Sequence, residues 1–232
     1  MSLYHLKIRL LSDTTFGRGD GVAGLIDSEV EHERDGFPYL RGRTLKGLLS
    51  EECDNLIAVL PAGNIRAQWQ KVACAVFGSP GSSLNTMASI HVGDAMLPKD
   101  LRQAVAYQIH QENKLTKTEV LDALTTIRRQ TAIQRDGTPD KGSLRSFRVV
   151  IRQLDYTSDL IFETEKAEIE GVLIERDEML SLLAVGALSL RYLGSGRNRG
   201  RGHVQCRLFD NKGNNVTAEL SNFFGTVKEV NV

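Results

Sequence analysis

Cysteine is scarce in this 232-residue chain, and the three present, Cys53, Cys74 and Cys206, lie far apart. That number and spacing exclude a disulfide framework and a cysteine zinc site. Each is expected to be a small buried hydrophobe in a reducing cytosol. Long apolar runs are missing too. The longest, around Leu182–Leu190, contains Gly186 and Ser189, so no membrane span is expected. The N-terminus enters a strand-like alternation interrupted by Lys7 and Arg9, which is not a secretory signal. Net charge is absent as well, with 29 Lys+Arg against 29 Asp+Glu. A soluble cytoplasmic protein is the expectation, with a real core, since 41% of the residues are hydrophobic.

The charge that is present is unevenly placed. Arg128–Arg152 holds seven basic residues against Asp136 and Asp140, and Arg191–Arg207 holds five arginines and no acid. Carboxylates gather instead at Glu163–Glu178. A neutral chain can therefore carry a basic face, and the local field governs phosphate binding. The densest stretch is Leu193–Gly202, with four glycines, three arginines and no carboxylate. Glycine lets a backbone approach phosphate closely, and arginine grips phosphate oxygens in pairs. A helical pattern, Asp177–Leu193, precedes this loop and a strand pattern, His203–Phe209, follows it. A dinucleotide fingerprint needs the reverse order, and no Gly-Lys-Ser/Thr follows to make a triphosphate loop. A nucleic-acid backbone cradle fits these residues better than a merely basic turn.

Leu3–Leu11 alternates as a first strand, and Ser12–Gly24, with Gly17, Gly19, Gly21 and Gly24, reads as a loop before a short extended piece, Leu25–Val30. Asp35-Gly36 marks a tight turn within Arg34–Phe37. Thr44 is the expected cap of a helix over Leu45–Leu60, with Leu45, Leu48, Leu49, Cys53, Leu56 and Ile57 on one face. Arg66–Phe77 reads as a second helix ended by Gly78-Ser79-Pro80-Gly81, Ala88–Ala95 as a strand and Leu101–Ile109 as a helix. Asn113–Thr126 has weak periodicity and gives no assignment; Thr131–Gly142 reads as a loop or protruding hairpin. Ser143–Leu154 and Asp159–Glu170 are expected to pair about a turn at Tyr156–Ser158. Without insertions the order is strand, helix, strand, strand, helix, strand, the α+β ferredoxin-like (RRM-like) unit.

Four stretches together resemble the RAMP superfamily, in particular the backbone subunit of type III CRISPR–Cas effector complexes. They are Gly24–Val30 running into Gly36–Gly47, then Phe77-Gly78 with Ile90–Leu97 and its Asp94-Ala95, then Gln130–Gly142 with Leu144 and Phe147, and finally the glycine loop. Arg43-Thr44 stand where the family often has Ser-Ser, and Glu29 where it often has Pro. The resemblance implies one RAMP domain over 1–232, a ferredoxin-like core at about 1–60 and 143–210, and insertions at about 61–142.

It also implies a function: binding CRISPR guide RNA beside neighbouring copies and other effector subunits, and cleaving complementary target RNA with Mg²⁺. Asp27 matches the aspartate needed for cleavage and is the candidate catalytic and metal-holding residue; the competing reading is a turn-capping aspartate. RNA supplies its own 2′-hydroxyl nucleophile, so an enzyme must align it, help remove its proton and stabilise charge. Arg41, Arg43 and Lys46, at a helix start whose free amides attract anions, are candidate guide contacts. So are Gly194, Gly196, Arg197, Arg199, Gly200, Arg201 and Gly202. Arg128, Arg129, Arg135 and Arg145 are candidates on the hairpin that the family inserts into the guide–target duplex. Two alternatives stay open: a non-catalytic RNA-binding scaffold, or a metal-independent processing endoribonuclease using histidine. Among His5, His32, His91, His110 and His203, only His32 is close to Asp27 in sequence. Trp69, Phe77, Phe162 and Tyr192 are expected to be core residues rather than base-stacking platforms.

Overall fold

The computed structural model describes residues 2–19, 21, 26–79, 88–112 and 114–224. In chain order the strands are β1 (Ser2–Leu10), β2 (Ile90–Val92), β3 (Thr125–Gln130), β4 (Arg145–Val150), β5 (Asp155–Phe162), β6 (Lys166–Ile169), β7 (Val172–Glu175) and β8 (Val204–Asp210). The helices are α1 (Gly42–Ala58), α2 (Asn64–Phe77), α3 (Lys99–His110), α4 (Lys117–Leu124), α5 (Arg176–Ser189) and α6 (Thr217–Ser221).

The principal sheet follows from alternation. In β1, Leu6, Ile8 and Leu10 are buried while Lys7 and Arg9 face solvent. Its neighbours do the same, with Tyr156, Ser158, Leu160 and Phe162 inward on β5 and Val204, Cys206 and Leu208 inward on β8. Strict period-2 burial fixes the register, because a one-residue slip would turn every apolar side chain outward. The four strands lie in the order β2-β5-β1-β8, with every pair antiparallel. Over the buried face, α1 sets Leu45, Leu49, Cys53 and Ile57, spaced by three or four residues as a helical stripe requires. Helix α5 is buried on most sides, because α1, α2, α6 and the sheet all pack against it. Strand, helix, two strands, helix and strand, with β1 and β5 innermost, is the expected ferredoxin-like arrangement, but its second strand is β2, within the 61–142 stretch expected to be insertions, and not Ser143–Leu154. Among the described residues, no helix is long and apolar enough to cross a membrane.

Several local expectations are corrected. Strand β4 pairs with β3, not with β5, in a separate antiparallel ribbon. The chain reverses before β5, where Gln153 takes φ 70°, and Tyr156–Ser158 lies inside β5. The extended reading of Asp159–Glu170 breaks into β5 and β6, the latter closing a small hairpin with β7. The unassigned Asn113–Thr126 segment contributes α4, held by a Thr116–Glu119 capping box, and the start of β3. Helix α1 begins at Gly42, ahead of Thr44, so Thr44 is not its cap; Asp94, from beyond β2's end, accepts the Gly42 N–H at 2.7 Å. The Asp35-Gly36 turn is present, with Gly36 N–H donating to Glu33 O at 3.1 Å. Gly24, Leu25, Pro80 and Gly81 lie outside the described residues.

Candidate nucleic-acid interface

A short strut, Ser12–Thr15, ties the glycine loop to the β3–β4 ribbon. On one side Thr14 exchanges both backbone hydrogen bonds with Val150, at 3.1 and 2.7 Å. On the other, Ser195 N–H donates to Thr15 O at 2.9 Å, Gly202 N–H to Asp13 O at 2.9 Å, and the buried Thr14 hydroxyl to Leu193 O at 2.8 Å. The loop itself closes through Leu193 N–H to Gly202 O at 2.8 Å and a 3₁₀ turn at Arg197–Arg199. The strut is hydrogen-bonded to both loop and ribbon, with a trough between them.

Two adjoining hollows of about 550 and 670 Å³ form this trough, sharing Gln130, Arg145, Phe147 and Arg199. A third, of about 250 Å³, shares Gly194, Ser195 and Arg197 with the first and runs on to Arg41, just before α1, and Thr44 within it. The three hollows thus bring Arg41, Arg145, Arg197, Arg199 and Arg201 to one connected surface although sequence separates them widely. Register explains the ribbon's share. Arg128 faces Phe147 and Gln130 faces Arg145 across the ladder, so these side chains occupy one face, while Arg129 and Ser146 point to the other. Arg43, Lys46, Arg128, Arg129, Arg135, Gly200 and Gly202 line none of the three hollows. Burial lowers the pKa of the Lys46 amine.

The arginines are not equivalent. Arg197 is held by Glu51 of α1 at 3.0 Å, Arg41 by Glu31 at 2.6 Å, and Arg128 by Asp13 at 2.7 Å. Arg201 lies over the Phe147 ring at 5.3 Å from its centroid, a cation–π contact that keeps the guanidinium edge available. Arg145 and Arg199 make no ion pair among the described residues. Glycines divide as well. A Cβ on Gly194 would sit 2.4 Å from Thr15 O, and one on Gly202 would sit 1.8 Å from Leu193 O, so both press on the protein's own backbone. Gly196 and Gly200 also hold left-handed φ, 80° and 72°, but their Cβ positions meet no clash. The base of the loop is packing; its rim is open.

Asp27 sits at the ribbon's edge. Its N–H donates to Ser146 O at 2.9 Å, and its carboxylate Oδ2 accepts the Ser146 N–H at 2.6 Å. Arg148 N–H continues the pairing onto Ser28 O at 3.0 Å. The Asp27 carboxylate therefore completes the ladder along β4, one residue from both Arg145 and Phe147 of the trough. Glu29 beside it is buried and paired with Arg148 at 2.9 Å, and Arg148 also reaches Asp122 at 2.8 Å. This network anchors the Asp27 segment.

Other expected site features resolve differently. The first amide of α1 is taken by the Asp94 carboxylate, which occupies part of the expected anion site at that helix start. His32 spends Nδ1 on Glu33 O at 3.0 Å. Trp69 and Phe162 are core and Phe77 packs at its margin, but Tyr192 is 42% exposed and stacks on His203. Sequence reasoning missed Tyr192 because its helical-period neighbours are apolar, whereas α5 ends before it, at Ser189. No cluster of three or more His, Cys, Asp or Glu side chains able to hold a metal exists among the described residues. Asp27 keeps one oxygen outside its ladder bond, which fits a hydrated Mg²⁺ that takes most ligands from water and phosphate, not a resident ion.

The family model of the RAMP superfamily matches residues 7–205. Similar solved chains include one in the type III-B Cmr-beta complex bound to cognate target RNA, with TM-score 0.60, 14% identity and coverage of 95% of this chain and 99% of that one. A chain of apo Cmr-beta gives TM-score 0.63 at 14% identity, covering 90% and 98%. One in a type IV-B CRISPR complex gives 0.56 at 12%, covering 90% and 91%. Comparison with curated protein sequences finds no match.

Proposed function

The chain belongs to the RAMP superfamily, and from that premise we propose that it is a subunit of a CRISPR effector ribonucleoprotein that grips guide RNA along the trough. The observation that carries this reading is the convergence of Arg145, Arg199 and Arg201 on one concave surface, with no carboxylate paired to any of them among the described residues. A flexible polyanion needs a track of separated cations, and the hydrogen-bonded strut fixes the backbone that carries one, leaving the side chains to be ordered at binding. Neighbouring copies and other effector subunits are the proposed partners, and chains of similar fold occur in a Cmr-beta structure bound to cognate target RNA and in a type IV-B CRISPR complex.

Target cleavage is the finer proposal. Asp27 stands beside the trough-lining Arg145 and Phe147, held by two bonds to Ser146. That clamp fixes where its remaining carboxylate oxygen points, so it can accept a hydrogen bond from a 2′-hydroxyl placed in line with the scissile phosphate. Arg145 stabilises charge on that phosphate. Mg²⁺, when bound through Asp27, supplies charge neutralisation there. A second reading has its own observation: the same Ser146 bond gives Asp27 a structural duty, as a non-catalytic scaffold would require. Asp27→Asn separates them. It retains the oxygen that accepts the Ser146 bond, so assembly and RNA binding persist. Cleavage of target RNA by the assembled complex falls by roughly 10²-fold or more. Unchanged cleavage would leave the scaffold reading.

A further inference from the structure

Glu52 is half-buried on α1, and among the described residues its carboxylate has neither a hydrogen bond nor an ion pair. Burial and the neighbouring Glu51 raise its pKa, with Arg197 opposing. Its oxygens still reach solvent, so the carboxylate is an acceptor that a ligand can meet at little desolvation cost. It borders a hollow of about 270 Å³ whose other walls are Glu51, Tyr192 and Arg197. Tyr192 lies 5.3 Å from the His203 ring at an interplanar angle of 28°, so one side of its ring is backed by an aromatic while the side chain stays 42% exposed. The two residues also bridge through their backbones at the two ends of the glycine loop. That fixes the platform before any ligand arrives.

We propose that this hollow is a nucleobase site: an unpaired base stacks on Tyr192 and donates an exocyclic amino group to Glu52. The inference rests on the RNA-binding reading and adds a base-reading position to it. Arg197 makes the connection, because it lines both this hollow and the trough. A strand whose phosphates follow the trough past Arg197 delivers its next base to Tyr192. Two carboxylates on the wall repel phosphate, so the hollow suits the neutral, donor-bearing part of a nucleotide. Sequence-tolerant stacking is the usual contribution of such aromatics; Glu52 adds a preference for bases that carry an amino group.

The test uses the full chain and a short single-stranded RNA with 2-aminopurine at alternate positions. Binding quenches the probe's fluorescence in the wild type and in Tyr192→Phe. In Tyr192→Leu the quenching is lost and affinity by anisotropy drops roughly 5-fold or more. The wild type prefers adenosine over purine riboside, which lacks the amino group, and Glu52→Ala erases that preference; both comparisons stand even if Tyr192→Leu does not fold. RNA bound with equal quenching by Tyr192→Leu, or with no adenosine preference in the wild type, overturns the inference while the trough reading stands. A wild-type chain that binds no RNA overturns both.

Discussion

Replacing Gly202 with alanine should cost far more stability than the same change at Gly200, although both lie in one loop at φ 72°. Left-handed backbone costs an L-residue about 1–2 kcal/mol in either case. At Gly200 the new Cβ meets nothing within 4 Å, so that is the whole penalty. At Gly202 the Cβ would lie 1.8 Å from Leu193 O and 3.0 Å from the Thr14 hydroxyl. The carbonyl cannot withdraw without disturbing the bonds from Thr14 to Leu193, from Leu193 to Gly202 and from Gly202 to Asp13. Losing two of these adds about 1 kcal/mol each. The expected totals are about 1–2 kcal/mol for Gly200→Ala and about 3–4 kcal/mol for Gly202→Ala. In a chain of this size they lower Tm by about 2–8 °C and 6–16 °C respectively. Thermal unfolding by circular dichroism measures both. Equal destabilisation would refute the division between a packed loop base and an open rim.

Arg148→Met should destabilise by about 3–5 kcal/mol, because it strands the buried Glu29 carboxylate, and urea denaturation should show partial recovery in the Glu29→Gln, Arg148→Met double variant. A native-state thiol assay should modify Cys74 alone, since Cys53 and Cys206 are buried and desolvation pushes the Cys206 thiol up to about 12; all three cysteines should react once urea unfolds the chain.

Alternation made the principal sheet readable: Leu6, Ile8 and Leu10 against Lys7 and Arg9 specify a half-buried strand with no further information. The β3–β4 ribbon was harder to read, because Gln153 turns the chain at positive φ without a glycine signal. The pairing of β4 with β3 depends on long-range contacts such as Thr14 with Val150 and Asp27 with Ser146. Helix α1's cap comes from Asp94, 52 residues on, which no local pattern can reveal. The glycine loop and its arginines stood out in sequence as a phosphate cradle. Which arginines are already paired did not, since Glu51 and Arg197 are 146 positions apart. Local charge density finds a basic region; only the fold shows which guanidinium groups remain unpaired.

The salt dependence of single-stranded RNA binding to the full chain, compared with the Arg145→Ala, Arg199→Ala, Arg201→Ala triple variant, tests the trough most directly. Each phosphate contact contributes about 0.7 to the slope of log K against log salt. The three arginines therefore account for a slope change of about 2. Affinity should fall for every RNA sequence alike, because backbone contacts carry no base information, while Tm stays within about 2 °C of the wild type, as surface substitutions usually do. A triple variant that keeps both the affinity and the slope of the wild type would contradict the claim that this trough carries the RNA backbone.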